Sequence, residues 1–473
     1  MTAVVVSVLA AACGGPGSTS TPRLTLTACQ VQGIDARCGR LAVAENPAQP
    51  NGRKISLYVA VLPATTTDRA SDPLFYFEGG PGGAATDEAS WVRSHFQLLN
   101  QHRDIVLIDQ RGTGRSNAAG CSVPRSTSGT EAETAAAVQS CLDSIKDRAD
   151  PAFYTTPIAV DDFDQVRAAL GNDRVNVYGI SYGVSSGLAY VQRHGDHVRA
   201  AVFDSGSMLD YHILEQVPRS ADQSLKLLFS RCRASSACAA AFPNVEAEFA
   251  TLVARLRAAP VSVTVKDAAT GTDQLVDLDA GTFVSVVISG YLGTTSAAAS
   301  LPRDLHAAAR GDWSAIARAT QQMRQGDGFI LAMAVTVRCS DEWASHDPAA
   351  AAASSPASPF TDYEVQFAAS QAAVCKFWPH GTGASGKVTS NAPIVFLNSI
   401  GDPVDPPENV ATAAAGMPNS VVVAVAGTGH WQLEADTSRC LDDETKVFFE
   451  SGKRSNAAQW SCAASPPLPA FEL

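Results

Sequence analysis

The run Val175-Asn176-Val177-Tyr178 passes straight into Gly179-Ile180-Ser181-Tyr182-Gly183, and a helix-compatible stretch, 183–193, follows at once. This turn constrains the chain more than any other feature. A strand that enters a helix through one serine needs small residues on both flanks, because side chains there clash with the adjoining backbone. The turn then holds the serine hydroxyl proud of a sheet. The bare G-x-S-x-G pattern is common, so the strand before it and the helix after it carry the weight.

Strand-like apolar runs recur at 55–62, 74–77, 105–108, 175–178, 200–203, 394–397 and 421–425. Short apolar runs bounded by turn residues suit strands buried on both faces. Helical patterns at 161–170 and 183–193 lie between several of them, so the expected fold class is α/β, a mostly parallel sheet flanked by helices. With 473 residues, 45% of them hydrophobic and 17% charged, the chain can bury a large core. From 208 to 386 the pattern becomes mainly helical and Ala-rich, which reads as an inserted lobe; 349–359 (AAAAASSPASP) reads as a loop within it. The expected organisation is therefore an export signal and linker over 1–25, a core in two parts over 26–207 and 387–473, and an insertion over 208–386.

A serine hydroxyl is a weak nucleophile at neutral pH and needs a histidine base oriented by a carboxylate. On a sheet of this kind the partners follow in the order Ser, Asp, His. Asp402, in NSIGDPVDPP, follows the run 394–397, and His430, in AGTGHW, follows 421–425. Consecutive strand ends of a parallel sheet put both at the rim that carries Ser181. The candidate catalytic set is Ser181, Asp402 and His430, with Asp405 and Asp204 as alternative acids, and 408–415 reads as a helix between the last two strands. Gly79-Gly80-Pro81-Gly82-Gly83 follows the run 74–77, where backbone donors for an oxyanion belong. The amides of Gly80 and Tyr182 are the expected donors, since Pro81 has none. The segment DQRGTG, 109–114, reads as an ion-paired turn bracing these loops; without a following GK[ST] it is no phosphate loop.

Thirty-five Lys+Arg against 47 Asp+Glu leave a net charge of −12, which repels phosphate backbones, so nucleic acid is not an expected partner. No internal apolar run reaches the ~18 residues that span a bilayer. Residues 1–13, MTAVVVSVLAAAC, read as an export signal and 14–22 as a flexible tether. Ala10 and Ala12 suit an ordinary signal peptidase, whereas Leu9 to Cys13 resembles a loose lipobox that would acylate Cys13 and anchor the chain to a membrane. Both readings stay open. The chain has 11 cysteines; without Cys13 the number is even, which fits bridges formed in an oxidising space. Neighbours along the chain suggest Cys29–Cys38, Cys121–Cys141, Cys232–Cys238, Cys339–Cys375 and Cys440–Cys462, although sequence does not fix connectivity. No Cys-x-x-Cys pair occurs, so no metal is expected, and serine chemistry requires no cofactor.

The segments GGPGG, DQRGTGRS, VYGISYG, GDPVDP and GTGH, in this order from Gly79 to His430, resemble the proline iminopeptidase and tripeptidyl aminopeptidase group of α/β-hydrolases. RCSDEW around Cys339, CKFWP around Cys375 and the pair Cys440 and Cys462 resemble exported bacterial members. The resemblance implies an α/β-hydrolase fold with the insertion as a cap. It also implies a serine exopeptidase that releases single residues or short peptides from peptide amino termini through an acyl-enzyme. Such an enzyme must receive a free ammonium, and Glu215, Asp341 and Glu342 of the insertion, together with Glu78, are the candidate carboxylates. Glu78 stands where cytoplasmic iminopeptidases carry His, so their substrate preference is not carried over. Asp405 and Ser399 replace the Thr and Gly frequent in the group. The same triad cleaves esters, which makes a carboxylesterase or amidase the nearest alternative, and a non-catalytic exported binding protein a more distant one. The expected location is outside the cytoplasm: secreted, periplasmic or lipid-anchored.

Overall fold

The computed structural model describes residues 23–121, 131–267, 271–325, 331–343, 346–356, 358–427, 429–430 and 439–473. The expected export signal, its tether up to residue 22 and Cys13 lie outside the described residues.

Eleven strands are described: β1 (Thr27–Val31), β2 (Ile34–Ala44), β3 (Lys54–Leu62), β4 (Leu74–Phe77), β5 (Ile105–Ile108), β6 (Val175–Ile180), β7 (Val198–Asp204), β8 (Val261–Lys266), β9 (Asp273–Leu278), β10 (Ile394–Ser399) and β11 (Ser420–Val425). Nine of them form one sheet in the order β1-β2-β3-β5-β4-β6-β7-β10-β11. From β5 to β11 every pairing is parallel, while β1, β2 and β3 join antiparallel at one edge. This is the α/β architecture that the apolar runs imply.

The sheet is covered on both faces, and successive residues of one strand serve opposite layers. Phe75, Phe77, Val106, Ile108 and Val177 pack with Phe163, Val166 and Leu188 of the helices Thr156–Leu170 and Tyr182–His194. Leu74, Tyr76, Ile105, Leu107 and Tyr178 pack on the other side with Val92, Phe448 and Phe449. Double burial is why these strands read as unbroken apolar runs. β1 and β2 carry exposed residues along their length, and so escape a search for such runs.

Between β7 and β10 the chain leaves the sheet and builds a separate apolar cluster. Leu228, Phe249, Phe283, Leu301 and Phe360, from the helices Ile213–Ala234, Val245–Ala258, Ala280–Val286, Thr295–Ala309 and Phe360–Cys375, meet there with Trp313, which precedes the helix Ser314–Gln325. As expected, the insertion is mainly helical; one antiparallel hairpin, β8 and β9, interrupts it, and the alternation of Val261, Val263 and Val265 with polar residues is a period-2 pattern within an Ala-rich region. Two expectations need correction. Residues 349–359 are not all loop, since a helix spans Pro348–Ser354, opened by Pro348 and capped by Asp347, whose carboxylate accepts the Ala349 amide at 2.9 Å. The expected helix over 408–415 breaks into a 3₁₀ turn, Pro407–Val410, and a single helical turn, Ala413–Gly416.

Five disulfides are formed: Cys29–Cys38, Cys121–Cys141, Cys232–Cys238, Cys339–Cys375 and Cys440–Cys462, with Cα–Cα separations from 5.2 to 6.3 Å. No helix among the described residues is long and apolar enough to cross a membrane.

Candidate active site

Ser181 sits between β6 and the helix Tyr182–His194 with φ +54° and ψ −124°. A non-glycine residue held in this region costs about 1–3 kcal/mol, which the surrounding packing must offset. That packing is tight. A Cβ on Gly179 would lie 2.3 Å from the Gly183 carbonyl oxygen, and one on Gly183 would lie 2.1 Å from the Phe77 carbonyl oxygen of β4. The G-x-S-x-G spacing is thus a steric demand of helix against strand. Gly183→Ala is expected to lower stability by about 1–3 kcal/mol. Urea unfolding checks this: the midpoint falls while the slope is unchanged.

The turn after β10 carries Asp402. Ser399 Oγ accepts the Gly401 amide at 3.2 Å and donates to the Gly427 carbonyl at 3.1 Å, joining this turn to the segment after β11. Asp402 Oδ1 accepts the amides of Val404 and Asp405, both at 2.8 Å. Its Oδ2 is left to face His430 Nδ1 at 2.8 Å. On the other side of the ring, Nε2 lies 2.9 Å from Ser181 Oγ. The His430 amide donates to the Gly293 carbonyl at 2.7 Å, so the insertion helps to seat the imidazole. Burial alone would lower the basicity of His430, but the charge and hydrogen bond of Asp402, with Asp405 and Asp204 behind them, raise its pKa to about 9. Asp204 is engaged elsewhere, accepting Tyr178 Oη at 2.6 Å and Ser205 Oγ at 2.7 Å.

The loop after β4 lies against Ser181: a Cβ on Gly79 would be 3.1 Å from Ser181 Cβ. Gly80 (φ +124°) and Gly82 (φ +111°) hold conformations that side chains disfavour. The backbone hydrogen bonds of the two turns, Gly83 to Gly79 and Ser181 to Asp204, use the amide of neither Gly80 nor Tyr182. Behind them, Asp109 accepts Thr86 N, Thr86 Oγ1 and Arg115 N between 2.8 and 3.0 Å, and Gln110 donates to Tyr182 Oη at 3.1 Å.

The four acidic candidates differ in what they touch. Glu78 accepts Tyr76 Oη at 2.6 Å, and burial, only partly opposed by that bond, lifts it to about 7. Asp341 is held by Thr156 Oγ1 at 2.5 Å and the Ala384 amide at 3.0 Å, and burial lifts it to about 7. Glu215 accepts the Asp347 amide at 2.8 Å. Glu342 is raised by burial, with Arg338 opposing. A fifth carboxylate, Glu364 on the helix Phe360–Cys375, is absent from the sequence reading. Burial, then the charges of Glu342 and Glu215, lift it to about 8, and its Oε1 lies 3.8 Å from His346 Nε2. No motif surrounds Glu364; only the fold brings residues 215, 342 and 364 within range. Of the acids in the insertion it is Asp341 that reaches the turn at Ser181, through Thr156, whose Oγ1 holds its carboxylate and lies 2.7 Å from Tyr182 Oη. Cys339–Cys375 ties the segment Arg338–Glu342 to the end of the Glu364 helix.

Among the described residues, Asp164, His194 and His197 bring potential metal-ligand atoms within 4.8 Å of one another. There Asp164 already accepts Arg167 Nε at 2.7 Å, Tyr190 Oη at 3.0 Å and His197 Nδ1 at 2.7 Å, so the carboxylate is satisfied by protein donors.

Comparison with known proteins places the fold. The chain is 31% identical over 189 residues to a tripeptidyl aminopeptidase of Streptomyces coelicolor, covering 36% of this chain and 35% of that protein. It is 32% identical over 190 residues to the serine protease Hip1 of Mycobacterium tuberculosis, with the same coverages. It is 31% identical over 130 residues to a proline iminopeptidase of Neisseria gonorrhoeae, covering 28% of this chain and 31% of that one. The matched stretch spans about a third of the length of these curated relatives. Residues 72–437, well over half of the chain, match the family model described as the alpha/beta hydrolase fold. With its nine-stranded sheet, its serine turn after β6 and this match, the chain belongs to the alpha/beta hydrolase fold family.

Proposed function

We propose that the protein is a serine aminopeptidase in which Ser181 is the nucleophile, His430 the general base and Asp402 the acid that orients it. The observation that carries this reading is the hydrogen-bond chain from Ser181 Oγ to His430 Nε2 at 2.9 Å and from His430 Nδ1 to Asp402 Oδ2 at 2.8 Å. As Ser181 attacks a peptide carbonyl, His430 takes its proton and Asp402 stabilises the imidazolium. The amides of Gly80 and Tyr182 receive the oxyanion. His430 then protonates the departing amine, and water activated by the same imidazole releases the acyl group. The insertion serves as the cap, and the chain works in an oxidising compartment outside the cytoplasm, a reading supported by five disulfides.

Preference for a free amino terminus is supported by the acids of the cap. Burial and the charges of Glu342 and Glu215 raise the cost of ionising Glu364, so a substrate ammonium beside Glu364 removes an existing penalty. Names of the relatives, tripeptidyl aminopeptidase and proline iminopeptidase, point the same way.

The test is an aminoacyl-arylamide compared with its N-acetylated analogue. Turnover of the free amine with little of the blocked form supports an aminopeptidase; equal turnover of both marks a carboxylesterase or amidase. Glu364→Gln is expected to lower kcat/KM for the free amine by about 10–100-fold, the worth of a hydrogen bond to a charged group. It should leave a blocked ester substrate unchanged, and equal losses on both would remove Glu364 from ammonium recognition.

A further inference from the structure

Two carboxylates, rather than one, address the outer nitrogen of the His430 ring. Asp402 has Oδ1 pinned by two amides and Oδ2 at 2.8 Å from Nδ1. Asp405 repeats the arrangement: Oδ1 accepts Ser207 Oγ and, at 3.2 Å, Asn409 Nδ2, while Oδ2 stands 3.9 Å from the same Nδ1. The loop that carries Asp405 is held too, because its carbonyl accepts Asn398 Nδ2 at 2.8 Å and its amide donates to Asp402. Only 3% of Asp405 is exposed. A residue needed solely to brace this loop has no need of charge, since an amide oxygen would accept from Ser207 and Asn409 equally well. Burying a second carboxylate is costly unless a cation shares the site, and the cation formed here is the imidazolium.

We propose that Asp405 is a positioning residue, a second carboxylate that brackets Nδ1 of His430 with Asp402, stabilises the imidazolium formed on serine attack and substitutes for Asp402 when that residue is removed. This inference rests on the triad reading above. The charged or titratable groups facing the ring are Asp402, Asp405 and Asp204, all of which raise its basicity against the effect of burial. Asp405 is itself raised on balance: burial and the charge of Asp402 push it up, against the charge of His430 and the hydrogen bonds from Ser207 and Asn409.

The experiment compares wild-type protein with Asp405→Asn, Asp402→Asn and the double variant on one aminoacyl-arylamide across pH. Asp405→Asn is expected to reduce kcat about tenfold with KM nearly unchanged. It should also move the acid limb of kcat/KM at least about half a pH unit lower, since the free imidazole loses one of its anionic neighbours. Asp402→Asn is expected to lose less than the ~10⁴-fold typical when a triad acid becomes an amide, and to stay about tenfold above the double variant. An unshifted acid limb in Asp405→Asn, or equal rates for Asp402→Asn and the double variant, would overturn the proposal. Ser207→Ala, which removes one donor from Asp405, is an independent route if Asp405→Asn does not fold: its acid limb should shift in the same direction, and an unmoved limb counts equally against the idea. Retained turnover in Ser181→Ala would remove the triad itself, a result distinct from silence at Asp405.

Discussion

Ser181→Ala is expected to lower kcat by about 10⁵–10⁶-fold while the folded structure persists, because nucleophile, base and acid act as one unit and loss of the attacking oxygen removes the acyl-enzyme route. The backbone reason for persistence is local. Alanine keeps the Cβ that already tolerates φ +54°, and the glycines at 179 and 183 still admit the helix against β4. Two measurements check it together: steady-state turnover of an aminoacyl-arylamide, and labelling by a fluorophosphonate, which needs a serine activated by its histidine. The expected result is a strongly labelled wild-type protein and an unlabelled variant with an unchanged melting temperature. A variant that keeps more than about one per cent of wild-type activity would remove Ser181 from its role.

Arg111→Ala is expected to destabilise the fold by about 3–5 kcal/mol, the cost of leaving one partner of a buried ion pair unpaired. Arg111 is fully buried and forks onto Asp162 at 2.7 and 2.8 Å. Its remaining donors satisfy the carbonyls of Glu45 and Phe153, both at 2.8 Å, so one side chain ties the β2 exit, the loop after β5 and the helix Thr156–Leu170 together. Burial raises Asp162, and Arg111 is what opposes that rise. Without the guanidinium the folded-state pKa climbs further. A group with a raised folded pKa favours folding at low pH and opposes it as pH rises, so the deficit of Arg111→Ala should shrink as pH falls from 7 toward 5. Urea titrations of both proteins at the two pH values measure it; a pH-independent deficit would mean that Asp162 is not the group left stranded.

Much of the core and of the site could be read from the chain because it depends on neighbours in sequence. The doubly buried strands appear as apolar runs, and the order Ser181, Asp402, His430 follows from strand ends that each precede a Gly-rich or Asp-bearing turn. The edge strands β1 and β2 and the hairpin β8–β9 escaped, since their faces are half solvated and their side chains alternate. The helix Pro348–Ser354 escaped because low complexity masked a Pro at its first position and an Asp cap before it.

At the turn of Ser181 the constraint is partly local: a side chain on Gly179 would strike the Gly183 carbonyl of the same turn, while one on Gly183 would strike Phe77 of β4, so the five letters GISYG record both the turn and the strand packed beside it. Long-range closure dictated the rest. Asp405 becomes a neighbour of the His430 ring only because the ends of β10 and β11 lie side by side. Glu215 and Glu342 bear on Glu364 only once Cys339–Cys375 and the packing of the inserted helices bring distant segments together. Charges separated along a chain have no energy of interaction until folding removes the water and the distance between them, and that is why carboxylates without a motif carry meaning only in three dimensions.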